Sequence, residues 1–96
     1  MANTTDLMIT SFFDDDAIES INLKTGLDFK QFSDGAVSGG PKVLSFEVFG
    51  TCVRCIGIEK INELIDIFKS TEFSSPEFAI LHIDDDDGKF SGIVTR

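Results

Sequence analysis

Two cysteines three residues apart, Cys52-Val53-Arg54-Cys55, are the residues in this chain whose types and spacing point most directly to chemistry. Thiols at that spacing, opening a helix, can carry out thiol–disulfide exchange. The helix N-terminus favours the first thiolate, and the second cysteine resolves the mixed disulfide. If residues 51–56 instead continue the preceding strand past a bulge at Gly50, side chains alternate. Cys52 and Cys55 would then point to opposite faces, unable to pair or share a metal. They are the candidate redox residues, and their competence depends on whether helix or strand holds them.

Other reactive groups are scarce. A structural zinc site needs about four ligands, and the chain offers two Cys and one His. That His, His82, sits in an apolar run and reads as a core or half-buried residue. Asp84-Asp85-Asp86-Asp87-Gly88 invites a calcium loop. With Gly88 at the sixth loop position, however, the first and twelfth positions are Ile83 and Val94, which have no oxygen ligands to give. The run reads better as a solvated hairpin tip. There is no Gly-x-Ser-x-Gly and no His-Glu-x-x-His, so no hydrolytic motif is present. No metal and no cofactor is expected, and no enzyme activity beyond a thiol exchange.

What the chain has in excess is carboxylate. Seventeen acidic and eight basic side chains leave a net charge of −9. Direct contact with nucleic acid needs Lys and Arg and is disfavoured. An anionic membrane surface is disfavoured for the same reason. A basic protein partner, approached under electrostatic steering, is favoured. The acids fall in three groups: Asp14, Asp15 and Asp16; Asp84, Asp85, Asp86 and Asp87; and Glu59, Glu63 and Asp66. These are the candidate partner-binding residues. Ten Phe with no Tyr or Trp put the aromatic area inside and leave recognition to charge and shape.

The elements that must position these groups follow from periodicity. The spacing predicts strands over 7–13, 27–32, 42–49, 78–83 and 89–95. Residues 1–6 are predicted to fray. Asp16 with Glu19 has capping-box spacing for a short helix over 17–24, stopped by Gly26. Ser33 to Pro41, rich in Gly, reads as a loop. Ile58, Ile61, Leu64, Ile65 and Phe68 mark the main amphipathic helix over 57–69, with Glu59, Asn62, Glu63 and Asp66 on its outer side. Asp84–Gly88 ends in an Asp-Gly turn signal.

The expectation is one compact α+β domain over residues 1–96, an antiparallel sheet of about four or five strands packed by one main helix. The order is β-α-β-β-α-β-β, and the alternative is a ferredoxin-like arrangement of its first six elements. No apolar run approaches the roughly 18 to 20 residues of a membrane span. The N-terminus lacks signal-peptide features, so a cytoplasmic location is expected.

Phe49-Gly50-Thr51-Cys52-Val53-Arg54-Cys55 is similar to the strand-to-helix turn of small thioredoxin-like proteins. Ser75-Pro76, before an apolar strand, is similar to their cis-proline loop. The resemblance implies a thiol–disulfide role for Cys52 and Cys55. The connectivity departs from that family: only residues 56–75 lie between the two motifs, and one helix fills most of them.

In size, acidity and missing catalytic motifs the chain resembles small inhibitors of nucleic-acid enzymes: immunity proteins, anti-CRISPR proteins and DNA mimics. The leading expectation is therefore a non-enzymatic inhibitor that blocks a basic partner, such as a nuclease or other nucleic-acid-binding enzyme. The alternatives are the redox protein and a structural or assembly subunit with an exposed strand edge. Oligomeric state is not legible at this level.

Overall fold

A computed structural model describes residues 4–12, 14–31, 46–85 and 91–95. The elements are β1 (Thr4–Phe12), α1 (Asp15–Thr25), β2 (Lys30–Gln31), β3 (Phe46–Arg54), α2 (Gly57–Ser70), a 3-10 turn (Pro76–Phe78), β4 (Ile80–Asp85) and β5 (Gly92–Thr95). The five strands form one sheet in the order β2-β3-β1-β4-β5, and every neighbouring pair is antiparallel. Strands β1 and β2 therefore run parallel with β3 inserted between them. This is the split, ferredoxin-like connectivity, with β5 added outside β4. The α+β expectation holds, and the first helix is a full partner of the main one.

Strand alternation sorts the sheet into two faces. In β1, Thr5, Leu7, Ile9 and Ser11 are buried on one face. Register places Phe49 and Leu81 on either side of Ile9, and Ile83 beside Leu7. These meet the apolar sides of the two helices: Ala17, Ile18 and Ile21 from α1, and Ile61, Leu64 and Phe68 from α2. The opposite face carries half-buried Met8, Val48, Ile80 and His82 with exposed Asp6, Cys52, Arg54 and Asp84, and no described helix lies on it. Phe29, Phe49, Phe68 and Phe73 are buried as expected, whereas Phe78 is 51% exposed. Its ring meets Phe12 edge-on, with centroids 5.1 Å apart.

Local chemistry accounts for the helix ends. Gly26 stops α1 in the left-handed region (φ 75°), and its N–H donates to the Asn22 carbonyl. Only glycine takes that conformation without a Cβ penalty. Asn22 also clamps the chain beyond: its Nδ2 donates to the Phe29 carbonyl at 3.1 Å, and its Oδ1 accepts from Phe29 N at 2.8 Å. Lys60, at the start of α2, donates to the Thr25 carbonyl at the end of α1, which ties the helices together in opposite directions.

Several expectations need correction. Residues 4–6 do not fray; they pair with Arg54, Val53 and Cys52. Helix α1 starts at Asp15, with Asp14 at the cap position and no side-chain capping bond, so Asp16 is not the cap. Among the described residues, strand β2 covers Lys30–Gln31, and residues 27–29 before it are not strand. Pairing of β1 with β3 runs without a break from Phe46 to Arg54, so Gly50 is not a bulge. Asp84 and Asp85 belong to β4 rather than to a turn. Phe78 lies in the 3-10 turn, and no described peptide bond is cis, Ser75–Pro76 included. The loop over 33–41, strand residues 42–45 and Lys89-Phe90 lie outside the described residues. No helix among those described is long and apolar enough to cross a membrane.

Candidate functional site

The chemistry open to the two cysteines depends on their backbone context. Cys52 lies inside β3, opposite Asp6 of β1 and two positions before the last pair, Arg54 with Thr4. Helix α2 begins only at Gly57. The first thiol is thus held by a strand and is not at a helix N-terminus. Cys55 follows in the bend, at φ 54°, a left-handed conformation uncommon for a residue other than Gly. Both thiols are exposed and no disulfide joins them.

The acidic runs divide by direction. Asp15 and Asp16 project outward from the first turn of α1, where carboxylates are favoured by the helix dipole. Asp14 turns inward and is 5% exposed. Its Oδ1 accepts from Ser74 N at 2.7 Å, and Ser74 Oγ donates to the Phe12 carbonyl at 2.6 Å. The Asp14 carboxylate therefore pins the segment after α2 to the end of β1. Asp85 is 3% exposed, and its Oδ1 accepts from Thr5 Oγ1 at 2.8 Å. Asp14 and Asp85, expected on the exterior, are internal tethers. Asp84 is exposed, on the face away from the helices, beside Asp6. Asp86 and Asp87 lie outside the described residues.

On α2 the expectation of an outer acidic side is met in geometry. Glu59, Glu63 and Asp66 are all exposed. At about 1.5 Å of rise per residue, they step along the axis by about 6 Å and then about 4.5 Å. Glu19 on α1, outside the candidate set, is exposed on the same helical layer. Its only sequence signal was the capping spacing. Lys60 is engaged by the Thr25 carbonyl and by Glu63 at 3.5 Å, which leaves Lys24 and Lys69 as the other cations on the two helices.

One further acid went unrecognised because it sits alone in a strand. Glu47 of β3 is 7% exposed, and its Oε1 accepts from Asp14 N at 3.0 Å. Burial pushes its carboxyl above the ordinary value. The Asp14 N–H pulls the other way, while the neighbouring Asp15 and Asp14 carboxylates push it further up. A raised folded-state value means that the fold prefers protonated Glu47. Stability is therefore lost as pH rises from the ordinary carboxyl value through the raised one. Glu47→Gln keeps an acceptor for Asp14 N and removes the charge. It should melt a few degrees above the parent near neutral pH, with the gain fading below about pH 4. A variant that melts below the parent at neutral pH would contradict this reading of Glu47.

Among the described residues, no group of three or more His, Cys, Asp or Glu side chains is placed to hold a metal ion. His82 is half-buried beside Met8 and Ile93, and lines a pocket with Asp6 and Asp84 on the face away from the helices. Comparison of the chain with known protein families, curated proteins and solved structures gave no match.

Proposed function

We propose that this chain is a non-enzymatic binding protein that blocks a basic protein partner with the acidic outer surface of its helical layer, in the manner of immunity proteins, anti-CRISPR proteins and DNA mimics. The observation that supports the reading is the gathering of outward carboxylates on two adjacent helices: Asp15, Asp16 and Glu19 on α1, with Glu59, Glu63 and Asp66 on α2. Asp14 and Asp85 take no part in the surface; they hold the fold beneath it. A row of exposed carboxylates is matched by the Lys- and Arg-lined groove with which an enzyme holds a phosphate backbone. The redox alternative has weaker support, since Cys52 sits within a strand rather than on the first turn of α2.

The test is capture from a lysate of the source cells on the immobilised chain, at about 0.1 M and about 1 M salt, between which the Debye length falls from about 10 to about 3 Å. A basic nucleic-acid-processing protein retained at low salt and released at high salt is the expected result. Retention of such a protein unchanged at high salt, or no specific retention at low salt, would contradict the proposal.

A further inference from the structure

The two edges of the sheet are built differently. At one end, among the described residues, β2 pairs over Lys30 and Gln31 and presents exposed Lys30. An edge with a charge on it resists further pairing. At the other end lies β5, Gly92-Ile93-Val94-Thr95, paired with β4 in unbroken register from Ile80–Thr95 to Ile83–Gly92. No described strand lies beyond it. It has no charge, no Pro and no bulge, and it is the only described strand without a charged side chain. Ile93 is 66% exposed there. An edge of this kind, with its outer row of backbone donors and acceptors, is completed by another strand.

We propose that the strand completing it is β5 of a second copy, antiparallel about a two-fold axis centred near Ile93, so that one sheet runs through both molecules. The segment is complementary to itself in that direction. Ile93 meets Ile93, a β-branched cross-strand pair that covers the exposed side chain. Gly92 meets Val94, and no atom lies within 4 Å of where a Cβ on Gly92 would be, so the valine has room. Ser91 meets Thr95, a pair of hydroxyl residues. Two bodies of charge −9 repel each other, and Asp84 and Asp85 lie on the neighbouring strand β4, so salt that screens this repulsion favours the association. Four or five paired residues bury less than the roughly 1,200 Å² of a stable complex, so the dimer is weak and depends on concentration.

Sedimentation velocity over a concentration series, at about 0.1 M and about 1 M salt, tests this on the parent chain and on Ile93→Lys. The parent should move from 10.5 kDa toward twice that mass as concentration rises, and further at high salt, where self-repulsion is screened. Ile93→Lys should remain monomeric with an unchanged melt, because the side chain it replaces is mostly exposed. If that variant melts early, Thr95→Lys, also exposed, makes the same test. A parent that stays monomeric at every concentration and both salts, or a folded variant that dimerises as readily, would overturn the proposal. Salt strengthens this association and weakens capture of a basic partner, so failure of one reading is distinguishable from failure of the other.

Discussion

Replacing Phe68 by Ala is expected to cost about 3 to 5 kcal/mol of folding stability. Phe68 has no exposed surface, and its ring lies 5.3 Å from that of Phe73, centroid to centroid. It is the C-terminal member of the inward row Ile61, Leu64, Phe68, which is what α2 lays against Leu7, Ile9 and Leu81. Truncation removes the ring's burial and leaves a cavity that the close-packed surroundings fill only in part. A domain of this kind has about 5 to 15 kcal/mol in all, so the loss takes a large share. Urea unfolding should show a much lower midpoint, or no folded baseline. Leu23→Ala on α1, at a side chain 81% exposed, should stay within about 0.5 kcal/mol. Equal midpoints for Phe68→Ala and Leu23→Ala would mean that α2 is not seated as described.

The second large effect is on association. Glu59→Gln, Glu63→Gln and Asp66→Asn together should leave the fold intact, since all three side chains are exposed and Glu63 makes only the surface pair with Lys60. Affinity for the captured basic partner should fall at least about tenfold, equivalent to about 1.4 kcal/mol. Much of the loss should lie in the association rate, and the salt dependence should flatten, because steering carboxylates have been removed. The control is Asp6→Asn with Asp84→Asn, which removes two exposed carboxylates from the other face of the sheet. It should change affinity far less. Equal losses for the two sets would show that overall charge, rather than the helical layer, governs binding.

How much of this was legible in the sequence depended on the range of the interaction that decides each element. Helix α2 was legible because its apolar side chains repeat at helical spacing, and Ile61, Leu64 and Phe68 are buried in that pattern, with Ile65 half-buried and Ile58 47% exposed at the first turn. The stop at Gly26 was legible because one residue type satisfies a left-handed position. The course of residues 50–54 was not. Whether they bend into a helix or stay in a strand is decided by Thr4 to Met8, some 46 residues away in sequence, which pair with them. No local pattern carries that information. The acidic runs misled for a related reason. A run of Asp suggests a solvated turn, yet Asp85 shares the helix-covered face with Leu81 and Ile83, and the Thr5 hydroxyl gives it a partner there. Asp14 likewise became a tether once Ser74 reached it. The surviving surface, Asp15, Asp16, Glu59, Glu63 and Asp66, is the part of the candidate set on helices, where exposure follows from local period alone.

The central claim is that the helical layer is the face a partner meets. Backbone amide shift mapping of the labelled chain, titrated with the captured basic protein at low salt, tests it most directly. The account predicts shifts centred on residues 15–19 and 59–66, with the strand residues Met8, His82 and Ile93 undisturbed at partner concentrations that saturate the others. Shifts centred instead on Asp6, Met8, Cys52, His82 and Asp84, with the helices silent, would contradict it.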